Sequence, residues 1–171
     1  MGMRRAFTLI EVTLALGLLS VGVLAIIGLY SFGYRETSQS REDVGAAALA
    51  DAVLGRLSTA LSATNMTWST FKKLKSYPND NGWGAYLDGN GRVSGDPSSL
   101  ASTAYGDCMK DLGREDASLP AMGDFSWGLV IIRYGAESRI VGLGFRAVRQ
   151  KSSLMSAPLF YTEARFQGVS E

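Results

Sequence analysis

Histidine is absent from the 171 residues. Its absence excludes Ser-His-Asp and Cys-His nucleophile pairs, His-ligated zinc and an unaided proton switch near neutrality. A single cysteine, Cys108, leaves no partner for an intramolecular disulfide and no thiolate cluster for a metal. An excess of either charge is lacking too. With 17 Lys and Arg against 16 Asp and Glu, the net charge of +1 carries no electrostatic footprint for nucleic acid. Proline is scarce, and none of the four precedes Pro78, so nothing in the first part of the chain forbids a long helix. The 46% of apolar residues is ordinary in amount and uneven in placement, with a hydrophobic block near the N-terminus.

That block runs from Val12 to Tyr34, 23 residues without a charge. As a helix it is about 35 Å long, enough to cross a hydrocarbon core of roughly 30 Å. Arg4 and Arg5 precede it, and Arg35, Glu36 and Arg41 follow it. The positive-inside rule keeps the Arg pair on the cytoplasmic side and exports the rest. No two of Gly17, Gly22, Gly28 and Gly33 stand four apart, so the helix offers no GxxxG dimer face. Glu11 is out of place. It lies one turn inside an apolar run that begins at Phe7, where a carboxylate is costly unless it is solvated at the headgroups or meets a cation at its own depth.

The stretch Arg4-Arg5-Ala6-Phe7-Thr8-Leu9-Ile10-Glu11-Val12 resembles the class III signal of type IV pilins and pseudopilins. In that family a short basic leader ends in a small residue, usually Gly. An aromatic residue, a threonine, two aliphatics and a glutamate at the fifth position follow the cut. The resemblance implies cleavage between Ala6 and Phe7 by a prepilin peptidase, and N-methylation of Phe7. It also implies assembly through Phe7 and Glu11, with Arg4 and Arg5 as the leader charge. Ala6 departs from the usual Gly while remaining small. Arg41 to Leu57 and Phe160 to Gly168 further resemble prepilin-type proteins of the Verru/Chthon cassette group.

Three other kinds of N-terminal segment share part of this pattern. A secretory signal peptide has an apolar core of about 7–15 residues without acids; this core is longer, and Ser31-Phe32-Gly33 is only a passable cut site. A twin-arginine signal is suggested by Arg4-Arg5-Ala6-Phe7 and opposed by Glu11 and the long apolar run. A plain single-span anchor without an assembly role is the third.

Beyond the membrane block, Ala47, Ala50, Leu54, Leu57 and Leu61 recur at helical steps of three and four. One helix is expected from about Phe7 to about Ser62, roughly 80 Å long, with an amphipathic second half. Asn65 and Thr67 are plausible stop signals. The middle, from Trp68 to Gly123, is dense in Gly, Ser, Asp and Asn and predicts loops with a short helix or two. Asp88-Gly89-Asn90-Gly91 predicts a hairpin between Ala85-Tyr86-Leu87 and Arg92-Val93. Trp127 to Tyr134, Ile140 to Val148 and Leu159 to Phe166 are strand-like. The expected architecture is α+β: a long N-terminal helix, transmembrane in its first half, packed in its second half against an antiparallel β-meander head. The domain reading is a leader over 1–6, a membrane and assembly helix over 7–34, and a globular head over 35–171.

Candidate chemistry in the head is thin. Asn81-Gly82-Trp83-Gly84 loosely resembles an element near the calcium loop of major pseudopilins. Asp88, Asn90 and Asp96 in the loop from Asp80 to Asp96 could add oxygens for calcium, but turn-forming roles account for them equally well. Trp68, Phe71, Lys72, Lys73, Lys75 and Tyr77 interleave aromatic and basic residues as a single-strand DNA binder would, or form one solvated helix turn with two core aromatics. Asp107 and Asp111 share a helix face if Ala104 to Leu112 is helical. Cys108 is expected to be a small buried residue. The expected function is a minor pilin or pseudopilin subunit of a type IV pilus or type II secretion filament, not an enzyme and without cofactor or metal. Its partners are the prepilin peptidase, other pilin subunits met through the N-terminal helix, and the inner membrane, with nucleic acid disfavoured. The alternative is a single-pass anchored extracytoplasmic domain that binds DNA or a surface glycan and does not polymerise.

Overall fold

The computed structural model describes residues 8–114, 117–149 and 153–169. Its contacts divide the chain into two compact units, Met1–Arg41 and Glu42–Glu171. Helix α1, Leu9–Leu61, supplies the described part of the first unit and the opening of the second. These limits fall within two residues of those expected from the apolar periodicity.

In the first unit every described residue is exposed, including Leu9, Leu19, Ile26 and Leu29. Leucine and isoleucine surround the axis, so no side of the helix is set apart for a protein core. α1 is long and apolar enough here to cross a membrane. The few hydroxyls are satisfied locally. Ser20 Oγ donates to the Leu16 carbonyl at 2.8 Å, and Thr13 Oγ1 to the Ile10 carbonyl at 3.0 Å. Such back-bonding is the least costly way to carry a hydroxyl through an apolar medium.

In the second unit the composition of α1 changes. Ala46, Ala50, Val53, Leu54, Leu57, Ala60 and Leu61 are buried at helical spacing, and Val53, Leu57 and Leu61 are wholly inaccessible. Against this stripe packs a three-stranded antiparallel sheet of β1 (Phe125–Arg133), β2 (Ile140–Arg149) and β3 (Phe160–Arg165), in the order β1-β2-β3. Leu129 lies opposite Phe145, and Leu143 opposite Thr162. The odd-numbered residues of β1 and β2 point to the α1 side; the Phe125 ring stands 3.0 Å from where a Cβ on Gly45 would be. The α+β architecture expected from the sequence is the one observed.

The other face of the sheet is covered as well, which is why β1 is buried at five consecutive positions instead of alternating. A Cβ on Gly128 would meet Leu154 at 2.9 Å and Trp83 at 3.0 Å, so glycine there is a matter of space. Helix α2, Trp68–Lys73, is capped by Thr67, whose side chain accepts from Thr70 N. Helix α3, Pro97–Asp111, begins with Asp96 accepting from Ser98 N and Pro97 in the first turn. It ends at Gly113, φ +68°, where Gly113 N donates to the Lys110 carbonyl and Arg114 N to that of Met109. This is a Schellman closure, which needs a left-handed residue.

The hairpin expected around Asp88–Gly91 forms only at its base. Leu87 and Val93 make an isolated bridge, while Ala85 and Tyr86 belong to a 3-10 turn, Gly82–Tyr86. The tertiary contact that overrides the strand pattern is the Tyr86 phenol. Its oxygen accepts from Leu129 N at 2.8 Å and donates to the Leu129 carbonyl at 2.5 Å, standing in for a neighbouring strand. Burial pushes this phenol up to about 12.

Candidate functional site

Ala6, Phe7, Arg4 and Arg5, the positions of the expected cleavage, methylation and leader charge, lie outside the described residues. Glu11 is described, and its nearest partners belong to its own helix turn. Its Oε2 accepts from both the backbone N and the Oγ1 of Thr8, each at 2.9 Å. Glu11 N in turn lies 3.4 Å from Thr8 Oγ1. This reciprocal arrangement is a capping box, in which Thr8 and the residue three further on each satisfy a donor left over at the helix start. The Thr-x-x-Glu spacing is its signature in the sequence. The carboxylate therefore has hydrogen-bond donors within its own chain, and among the described residues nothing meets its other oxygen, Oε1.

In the head, the loop residues considered for calcium serve the backbone. Asp88 Oδ1 accepts from Asn90 N and Arg92 N, both at 2.8 Å, and Asp96 Oδ1 from Ser98 N at 3.0 Å. Among the described residues no group of three or more acidic, His or Cys side chains is placed to hold a metal. Turn formation accounts for Asp88 and Asp96 in full.

The aromatic and basic stretch is also absorbed by the fold. Phe71 is wholly buried and stacks on Trp68 at 5.6 Å between ring centroids, with Phe166 5.0 Å from Phe71. Lys72 Nζ and the Arg139 guanidinium each lie 5.6 Å from the Trp68 ring, and Lys72 also pairs with Glu137 at 2.8 Å. A nucleobase needs a bare aromatic face, and these rings are committed to one another and to cations of the same chain.

Asp107 and Asp111 border an open groove of about 710 Å³ beside Lys75, Lys110 and Arg133. Asp111 accepts from the Tyr77 hydroxyl. Burial and this carboxylate together raise the Tyr77 phenol well above its ordinary range. Arg133 donates to four backbone carbonyls, those of Phe71, Leu74, Gly135 and Ala136. It ties α2 to the turn after β1, a role with no local sequence signal, since its partners come from up to 62 residues away. Cys108 is wholly inaccessible, and burial pushes its thiol up to about 12, with the Asp111 charge adding to the rise. A thiol so placed is packing material and not a nucleophile.

No family model, no curated protein and no solved structure matches this chain. The geometry defines an α+β head on a helix whose exposed apolar first half can span a membrane.

Proposed function

We propose that the chain is a pilin-like structural subunit, a minor pilin or pseudopilin, cleaved by a prepilin peptidase and assembled through its N-terminal helix into a type IV pilus or type II secretion filament. The observation that carries the proposal is the union of two features on one helix. The Arg4–Val12 signal stands at the start of an apolar half with no partner among the described residues, and the same helix continues into a half buried beneath a sheet. A signal peptide discarded after export would not continue unbroken into the core helix of the exported domain.

Before assembly the helix rests in the inner membrane, with the head exported to the periplasm or the exterior. In the filament the apolar half exchanges lipid for the helices of neighbouring subunits. Cleavage creates an amine at Phe7, and the Glu11 carboxylate of an adjacent subunit can meet it in a medium where neither charge is hydrated.

The test is the intact mass of the protein taken from cells. It is expected to lack Met1 to Ala6, to begin at Phe7 and to carry one added methyl. Ala6→Leu is expected to stall cleavage and Ala6→Gly to sustain it. A chain that retains Arg4 and Arg5 yet is fully exported would leave the anchored binding domain as the better account.

A further inference from the structure

The two borders of the sheet are treated in opposite ways. The outward-facing groups of β1 fall at odd positions, and the N–H of every one from Trp127 to Arg133 is met. Trp127 N donates to Ser98 Oγ at 3.2 Å, and Leu129 N and its carbonyl meet the Tyr86 hydroxyl. Ile131 exchanges both backbone bonds with Tyr77, at 2.8 and 2.9 Å, and Arg133 N donates to Ser76 Oγ. On β3, Phe166 N donates to the Arg139 carbonyl, which sets the parity: even positions bond β2, and Tyr161, Glu163 and Arg165 turn their N–H and C=O outward. Among the described residues nothing meets those groups. Beside them runs a groove of about 500 Å³, lined by Ala50, Asp51, Leu54 and Ser58 of α1 and by Phe160 and Thr162 of β3, with Ala47 and Gly55 at its sides.

From this asymmetry we infer that the free border of β3 is a docking edge for an extended segment of another polypeptide, which adds as a fourth, antiparallel strand. Main-chain bonds to Tyr161, Glu163 and Arg165 supply the attachment, and every second side chain of the incoming strand enters the groove under α1. The small residues Ala47, Ala50 and Gly55 leave room for β-branched side chains there. On the opposite face Glu163 and Arg165, both exposed, select a base and an acid at the facing positions.

A second copy of this chain is a poorer occupant. Its β1 border is closed. If β3 pairs with β3, the register centred on Glu163 sets that carboxylate against itself. The register that matches Glu163 with Arg165 places Phe166, a buried core residue, opposite Thr162 and runs past the end of the strand. The register centred on Thr162 leaves Arg165 opposite Leu159.

The probe is a capped hexapeptide, Glu-Val-Lys-Val-Thr-Val, which laid antiparallel puts Glu opposite Arg165, Lys opposite Glu163 and valines into the groove. It is added to the full chain in detergent micelles, with amide hydrogen exchange as the readout. The amides of Tyr161, Glu163 and Arg165 are expected to slow at least about tenfold, and those of β1 to stay unchanged. The charge-swapped peptide Lys-Val-Glu-Val-Thr-Val should bind about fivefold more weakly. Glu163→Pro removes one outward donor while leaving the β2 ladder intact, and should abolish the protection. If that variant loses its thermal transition, Glu163→Lys decides: each peptide then has one matched and one opposed charge pair, so loss of the preference supports the docking edge, and an unchanged preference overturns it. Absence of protection by either peptide overturns it as well. Protection of the three amides without peptide, together with a dimeric mass, overturns it in favour of a second copy.

Discussion

The two halves of α1 belong to one helix and follow different rules. Before Arg41 the large side chains are exposed all round, Leu9 at 84% and Tyr30 at 76%. After Glu42 the buried stripe is narrow and rich in small residues, with Ala46, Ala50 and Ala60 beside Val53, Leu57 and Leu61. The second half has its partner within the chain, and alanine allows the sheet to approach. Among the described residues the first half has none, so its leucines suit a surrounding that is apolar on every side, a bilayer or a bundle of like helices. Hydrophobicity alone does not separate the halves; the width of the apolar surface does.

The largest expected effect breaks the second half. Leu57→Asp places an unpaired carboxylate at a wholly inaccessible position and should cost more than about 4 kcal/mol, enough to abolish the thermal transition of the head. The matched change in the first half, Leu19→Asp, should leave that transition unchanged and impair membrane insertion instead. Circular dichroism of both variants in micelles checks the contrast. Equal loss of the transition in both would mean that the first half is part of the folded core.

Glycine substitutions sharpen the same contrast at smaller cost. A Cβ on Gly168 would fall 1.9 Å from the Met66 carbonyl oxygen, a backbone group that cannot step aside as a side chain can. Gly168→Ala should therefore lower stability by about 1–3 kcal/mol. A Cβ on Gly22, in the apolar half, meets nothing within 4 Å. Gly22→Ala should leave the head unaltered and, by removing a helix-interior glycine, favour the helix by about 0.5–1 kcal/mol. Chemical denaturation midpoints give the first value, and helix content of the isolated N-terminal peptide in micelles the second.

What the sequence makes legible follows from local rules. The reach of α1, the three strands and their antiparallel order all rest on periodicity and turn residues, and the structure has them within about two residues. The hairpin expected at Asp88–Gly91 does not form in full because a single distant contact, the Tyr86 phenol on the β1 border, outweighs strand propensity. Arg133 and the closure of the β1 border have no sequence signal for a related reason: their partners stand far away in the chain and are brought close only by the finished fold. At the N-terminus the cost of a carboxylate in an apolar run makes Glu11 stand out, and that cost points to a distant cation. The nearer partner, Thr8, is a neutral residue three positions away and is found only by its capping spacing.

Alkaline titration is expected to weaken the head. Burial holds Cys108 at about 12 against an ordinary 9, and Tyr86 at about 12 against an ordinary 10. Between these limits the unfolded chain has released protons that the folded head still holds, so stability must fall as pH rises. The decline should begin near pH 9, deepen above pH 10 and be absent below pH 8.5. Denaturation midpoints across pH 7 to 11 measure it. Cys108→Ala should remove the part of the slope that begins near pH 9, and a slope unchanged by that variant would assign the effect elsewhere.

The smallest effect on the folded head, essentially none, is expected at Glu11, where the question is which of two partners the carboxylate serves. Within the chain it caps α1 through Thr8 N and Oγ1. In an assembled filament it would meet the Phe7 amine of a neighbour. Glutamine separates the roles, because a capping box accepts Gln as readily as Glu, while a charge pair does not. Glu11→Ala removes both functions and should impair incorporation into filaments, with cleavage and head stability intact. Glu11→Gln keeps the cap, so its incorporation reports the charge alone and should be partly defective. Thr8→Val completes the set by deleting the hydroxyl that binds Glu11 while leaving the carboxylate and its bond from the backbone N of residue 8. If capping governs, Thr8→Val and Glu11→Ala should be alike and Glu11→Gln should match the unaltered chain. If pairing between subunits governs, Glu11→Gln should fall between the unaltered chain and Glu11→Ala, and Thr8→Val should assemble better than either Glu11 variant. Sheared-filament yield, with mass spectrometry confirming equal cleavage, reads the order directly.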